Sequence, residues 1–479
     1  MSEYSVPERA RRVEGSSAAL SYWHASCGDD LTPRPPLPGS LDADVAIVGG
    51  GLTGLWTAWY LLEREPRLRI AVLEKETVGF GASGRNGGWC SALFPQSTAA
   101  LERRHGREAA LRMRRAMLDA VDEVGRAGAA AGVEFDYAKG GTIAYARNAA
   151  ELAAARAEVE SARGYGVDAL ELWGPERVRA AGTRRGAPAL GAAFDPACAR
   201  IHPAKLVRGL ARALERRGVR IFEQTEVRSW AGASSRAARP ARVLTSAGTV
   251  SAERVVVATE GYGAAIAQTR RRILPLYSLM IATEPLPDAV WDELGIADGQ
   301  TFTDFRHLIV YGQRTADGRI AFGGRGAPYH FGSAIRPEYD RVPRVLRHLE
   351  TALREIFPQL PAFEVTHAWG GPLGVPRDWH ASVTFDPASG VATAGGYVGD
   401  GVSTTNLAGR TLADLITGTA SELVTLPWLN HRSPEWEPEP WRWLGANAGT
   451  LAMSLADREE RLTGRPSLLA RMVAPLTGG

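Results

Sequence analysis

Lysine is almost missing from this chain of 479 residues. Lys75, Lys139 and Lys205 are the only three, and every other one of the 56 basic residues is arginine. Alongside the abundant Ala and Gly, that bias reads as base composition of the genome, not as an arginine-specific function. Cysteine is equally sparse. Cys27, Cys90 and Cys198 stand far apart, which makes neither a disulfide framework nor a metal-ligand pattern and suits a reducing cytoplasm. Charge of one sign is lacking too: the formal net charge is +3, too little to call for a nucleic-acid or membrane-surface partner. No run approaches about 18 apolar residues, so neither a transmembrane helix nor a signal peptide is expected. No Ser/His/Asp or Cys/His constellation stands out, which argues against a protein nucleophile.

What is present begins at Asp44. Val45-Ala46-Ile47-Val48 is a short apolar run, readable as a buried strand. Gly49, Gly51 and Gly54 follow at GxGxxG spacing, with Leu52 and Thr53 between them. Leu52, Leu55, Trp56, Trp59, Leu61 and Leu62 recur at helical spacing, and Ile70 to Leu73 forms a second apolar strand that ends on Glu74 and Lys75. The glycines alone are a weak signal. Strand, glycines, helix, strand and terminal acid in about 30 residues are a strong one. Gly49 permits the tight turn, Gly51 lets a pyrophosphate approach the backbone, and Gly54 lets the helix pack on the sheet. The helix N-terminus offers N–H groups to phosphate, and Glu74 can accept hydrogen bonds from ribose hydroxyls while repelling a 2′-phosphate.

A second glycine-rich segment follows directly: Gly81-Ala82-Ser83-Gly84-Arg85-Asn86-Gly87-Gly88-Trp89. Backbone this bare passes close to something flat or charged, and Ser83, Arg85 and Asn86 supply donors. Far downstream, Gly396 to Val402, including Gly399, Asp400 and Gly401, feeds a helix expected from about Thr404 to Leu415. A helix start aimed at a reduced flavin stabilises its negative charge. One nucleotide motif early and one dipole motif late is a requirement of FAD, not of NAD.

Nucleotide-type features recur in blocks 41–97, 198–262 and 366–425. The pieces between, 98–197 and 263–365, differ in character, so two interleaved lobes are expected. Residues 1–40 read as an extension with a Pro-rich linker, pinned to the body by Tyr22 and Trp23. Residues 426–479 read as a Trp/Pro-rich tail that wraps the surface or reaches a second subunit. Helices are expected at 101–131, 150–162 and 206–217, a small hairpin near 243–250, a central strand at 255–259, and antiparallel strands at 308–311 and 319–324 joined at Asp317-Gly318.

These motifs, with Val255–Thr259 followed by Glu260-Gly261-Tyr262, resemble the FAD-dependent D-amino-acid oxidase superfamily, the group with glycine and sarcosine oxidases. Residues 81–88 look most like its γ-glutamylputrescine oxidase branch. The resemblance covers roughly residues 41–425. It implies an α/β fold: a Rossmann-type FAD-binding domain interleaved with an α+β substrate domain containing an antiparallel sheet. It extends the FAD-binding set to Val227 and Thr259. The implied chemistry is oxidation of a C–N bond in a small amine or amino acid, with hydride passing to flavin N5, hydrolysis of the imine, and reoxidation by O2 giving H2O2. A dehydrogenase with another acceptor stays open, because the lysine that some family oxidases carry above the flavin has no counterpart after Lys205; a non-catalytic flavin-binding subunit stays open because the Trp/Pro-rich C-terminus could be an assembly surface. Tyr311, Arg325 and Trp369 are the substrate-side candidates by position, with Tyr329 and His330 nearby. Arg325 either pairs with a substrate carboxylate or phosphonate or is a surface arginine, and Trp369 either packs near the ring or belongs to the core. FAD is expected to be non-covalent, with a thioether to Cys90 the less favoured case.

Overall fold

The computed structural model describes residues 20–181, 189–234 and 239–473. The basic N-terminal residues before 20 and the last six residues of the tail lie outside these. Two eight-stranded sheets organise the chain. The first runs 382–386, 391–395, 249–257, 41–48, 70–73, 220–222, with the strands at 241–245 and 227–231 attached to the side. Its five central strands are parallel. Two of them carry continuous apolar runs because both faces are covered there: Val45 to Val48 and Ile70 to Leu73 are buried throughout. Leu52–Arg64 and Gly401–Thr417 cover one face beside Pro203–Arg216, and share a core with it.

The second sheet has the order 365–375, 274–283, 320–324, 310–314, 301–304, 142–146, 191–195, 171–173. All neighbours are antiparallel except 301–304 against 142–146. Pro343–Ile356 packs its apolar face onto this sheet. Thus an α/β lobe and an antiparallel lobe interleave along the chain.

Several sequence expectations shift. Val365–Val375 pairs with Leu274–Thr283 over ten positions, so the block opened at 366 starts in the second sheet and reaches the first only at Ser382. The helix expected over 101–131 is two, Thr98–His105 and Arg107–Ala130, broken at Gly106 with φ +84. Met113, Met117 and Val121 of the longer helix join the core of the first lobe, although 98–197 reads as second-lobe sequence; helical periodicity does not say which sheet a face packs on. The hairpin and the central strand merge, since Thr249–Val257 is one strand whose first half pairs with 241–245 and whose second half is central. The strand expected at 308–311 starts only at Val310, but the turn at Asp317-Gly318 stands, with Thr315 and Arg319 paired across it. Tyr22–Ser26 is a short helix, and Tyr22 and Trp23 are buried. In the tail, Trp441–Thr463 is a long helix. No helix among the described residues is long and apolar enough to cross a membrane.

Candidate active site

A cavity of about 740 Å3 opens at the carboxyl ends of strands 41–48, 70–73 and 249–257. That is the place where open α/β sheets bind nucleotides, and the volume is within the range of small-molecule sites.

At one end the sequence motif builds the wall. Gly49 has φ +109, and a Cβ there would sit 2.5 Å from the Ala258 carbonyl oxygen. A Cβ on Gly54 would run into the Gly49 carbonyl and stand 2.9 Å from Ile47 Cγ2, so helix and strand touch only because both are glycine. Gly51 is extended and gives the helix no side-chain cap. The first-turn N–H groups of Leu52–Arg64 have no helical carbonyl to meet; that of Leu52 donates to Ser83 Oγ at 2.8 Å. Glu74 accepts from Gly50 N–H at 2.8 Å and from Glu76 N–H at 2.9 Å. Burial outweighs these bonds and pushes its carboxyl up to about 7. Lys75 lines the cavity with its charge turned to Glu226 at 3.0 Å. Val227 and Thr259 are also on the wall.

The 81–89 loop divides its work. Gly81, Ala82, Ser83, Arg85 and Asn86 line the cavity, whereas Gly84, Gly87, Gly88 and Trp89 stand behind it. Arg85 is buried and engaged: Nη1 meets Asp340 Oδ2 at 2.6 Å, and Nη2 donates to the Tyr262 hydroxyl at 2.7 Å. Asn86 ties the loop to itself, donating to the Ala82 carbonyl and accepting from Gly88 N–H. Both polar side chains thus shape the loop where the sequence had offered them as donors to a ligand. Cys90 is buried against the first-lobe helix, its Sγ 3.9 Å from the Val121 carbonyl, and burial drives its thiol well above the ordinary range. It does not line the cavity.

At the other end, Gly399, Gly401 and Val402 are on the wall and Asp400 sits just behind as N-cap of Gly401–Thr417. Burial raises the Asp400 carboxyl to about 6, and Arg325 opposes that rise. Glu260, with φ +44, accepts from Gly396 N–H at 2.9 Å and fixes this turn; burial lifts its carboxyl to about 7. Tyr397 reaches Thr53 Oγ1 at 3.1 Å, closing the two helix starts on each other.

The substrate-side candidates separate. Tyr311 lies against the flavin-type loop: a Cβ on Gly87 would fall 2.5 Å from its ring. Its hydroxyl is 2.7 Å from Ser278 Oγ, and Trp89 packs edge-on at 6.2 Å. Arg325 is half-buried, donates to the Val398 carbonyl at 2.7 Å and lies 5.4 Å from the Trp379 ring. Tyr311 and Arg325 are therefore neighbours at the junction of the lobes. Trp369 is 1% exposed and gives its N–H to the Arg85 carbonyl at 2.9 Å, within a core with Tyr22, Trp23 and Met280. Tyr329 bonds Glu439 in the tail, and His330 stacks on Tyr339. Arg336, Asp340, Glu260, Tyr262 and Tyr397 also line the cavity, and sequence reading had not placed Arg336, Asp340 or Tyr397 there. Only Tyr397 carried a signal, its position between Gly396 and Gly399.

The glycine cradle, the two helix starts and the buried acid fit an extended dinucleotide carrying a redox ring. Two lobes meeting at such a cleft define a flavoprotein oxidoreductase. The chain belongs to the FAD-dependent oxidoreductase family (DAO), which matches residues 44–415, and FAD is its cofactor. It is 30% identical to the γ-glutamylputrescine oxidoreductase of Escherichia coli K12 over 86% of this chain and 92% of that protein. It is also 30% identical to a probable oxidoreductase, OrdL, of Haemophilus influenzae, over 84% and 89%. The fold is similar to glycine oxidase from Geobacillus kaustophilus, with a TM-score of 0.66 at 22% identity over 82% of this chain and 99% of that one.

Proposed function

We propose that this enzyme oxidises a C–N bond of a small amine or amino acid. Bound FAD supplies the two-electron acceptor. The observation that carries the reading is the packing of Tyr311 on the Gly87 backbone and of Arg325 on the 396–402 turn; both side chains stand just behind the residues that line the cavity, where the two lobes meet. Arg325 offers a half-buried cation to a substrate acid group. Tyr311, held by Ser278, offers a phenol whose orientation is fixed. Trp379 and Trp89 bracket the pair and limit water. The relative named for γ-glutamylputrescine supports an amine donor. On this reading 41–97 and 198–262, with the segment from Ser382, hold FAD, and the second sheet holds substrate.

A second reading keeps the donor and changes the acceptor from O2 to another oxidant. It is favoured by the lysines, each held in an ion pair: Lys75, Lys139 and Lys205 pair with Glu226, Asp122 and Asp136. Anaerobic titration with polyamines, N-methyl amino acids, glycine and aminophosphonates tests the first reading. Bleaching of the flavin band by one of these, reversed by air with release of H2O2, is the expected result. Bleaching that air does not reverse supports the second reading. A flavin that no amine bleaches overturns both.

A further inference from the structure

The helix Trp441–Thr463 is amphipathic the wrong way round. Its inner face is polar and closely bonded to the body. Asp457 accepts from the His307 and Leu308 N–H groups at 2.6 and 3.1 Å. Glu460 meets His307 Nε2 at 3.0 Å, and Asn447 pairs with both backbone groups of Tyr329. Its outer face carries Trp441, Leu444, Leu451, Leu455 and Leu462, all exposed; Leu451 is 61% exposed and Leu462 78%. Apolar side chains ordinarily face the body and polar ones the water.

The spacing of the outer stripe identifies what would cover it. Counting Ala448 and Arg458, the steps from 441 to 462 are three, four, three, four, three, four. That 3.5-residue period makes a narrow seam for another helix, not the broad apolar arc of a helix lying in a bilayer. Leu468, Leu469 and Met472 of the following helix Leu468–Val473 extend the exposed surface. Together with Trp443 these side chains present roughly 1,000 Å2, against about 800 Å2 buried per partner in a stable complex of standard size.

We propose that this seam pairs with the same helix of a second copy of the chain, antiparallel about a two-fold axis near Leu451. Antiparallel packing sets each helix's positive N-terminal end beside the other's negative C-terminal end. It also brings exposed Arg465 of one copy toward Glu435 and Glu437 ahead of the other copy's helix, acids that already meet Arg271 and Arg377 within the chain; a parallel pair would set like charges together. Because a two-fold interface uses one patch twice, the stripe is self-complementary without a second surface. The inner face holds His307, Leu308 and Tyr329, so the dimer would brace the loops flanking the Tyr311 strand and Arg325.

Sedimentation and light scattering of the FAD-loaded full chain test this. A dimer is expected, and Leu451→Glu with Leu455→Glu is expected to halve the mass and lower the melting temperature as the bracing is lost, while leaving the flavin spectrum unchanged. In a Cys27→Ser background, Leu451→Cys is expected to crosslink to itself under mild oxidation. A wild-type monomer at tens of micromolar overturns the proposal. So does a dimer that survives both glutamates and whose Leu451→Cys variant does not crosslink. A monomer that binds phosphatidylglycerol vesicles through this helix overturns it in favour of a bilayer.

Discussion

Arg325 is held by a backbone carbonyl and an aromatic face, and neither neutralises it. Burial pulls its ionisation downward, and Asp400 is the acid that opposes this. A substrate acid group would complete the arrangement. Arg325→Gln is therefore expected to raise KM for acidic amines by about 2 kcal/mol, some 30-fold, the worth of one charge-assisted bond. Neutral amines should be little affected; equal loss for both classes, measured as kcat/KM, would remove the anchoring role. Glu260 makes a pH prediction. Its carboxyl is raised from the ordinary value to about 7, so between pH 4.5 and 7 the folded state holds a proton that the unfolded state has lost. Its contribution is full below that window and falls as pH rises through it, by up to roughly 3 kcal/mol. Melting of wild type against Glu260→Gln should show the wild-type advantage shrinking from pH 4.5 to 7.5; a constant difference refutes the assignment. Neither role is written in the sequence. Glu260 follows a strand and a threonine, and nothing local says that its carboxylate caps a turn some 136 positions later.

At the scale of elements, the contact between helix Leu52–Arg64 and its strand tolerates no Cβ at residue 54. Gly54→Val should produce overpacking worth about 1–3 kcal/mol, with loss of bound FAD visible as a lowered ratio of flavin to protein absorbance. Retention of full flavin would show that the helix can back away. The short helix Tyr22–Ser26 is the other sensitive piece. Trp23 is buried and donates to the Asn86 carbonyl at 2.8 Å. Trp23→Ala should cost about 3–5 kcal/mol in denaturant unfolding and weaken FAD by loosening the 81–88 loop; unchanged FAD affinity would uncouple the two. These elements were unequally legible. The first strand, helix and second strand could be read from spacing, because a glycine needed for close approach is visible in one sequence. The partner of Val365–Val375 was not, because an apolar strand with glycines suits either sheet. The same holds for the helix Arg107–Ala130, whose stripe of Ala and Met fits any apolar surface.

For the whole molecule, the lobes are joined at the cavity by Arg85 and Asp340, 255 positions apart. Removing the acid leaves a buried guanidinium short of its partner. Asp340→Ala is expected to cost about 3–5 kcal/mol and to lower FAD affinity in a fluorescence titration, with Asp340→Asn intermediate. If stability and affinity both hold, the lobes are fastened elsewhere. Sequence reading foresaw two interleaved lobes but not this fastening, since long-range pairing of one arginine among so many leaves no local trace. The helix at Tyr22–Ser26 has a consequence in time. Tyr22 bonds Asp317 across 295 positions, and Trp23 packs 6.2 Å from Trp369. During synthesis this segment leaves the ribosome long before Asp317 and Trp369 exist. Trp23 can meet the Asn86 carbonyl and His202 earlier, but the two aromatic side chains are fully covered only when the hairpin of the second sheet and the strand after it have emerged. The piece made early is thus seated late, and docking of the nascent N-terminal segment reports that most of the chain has already been translated.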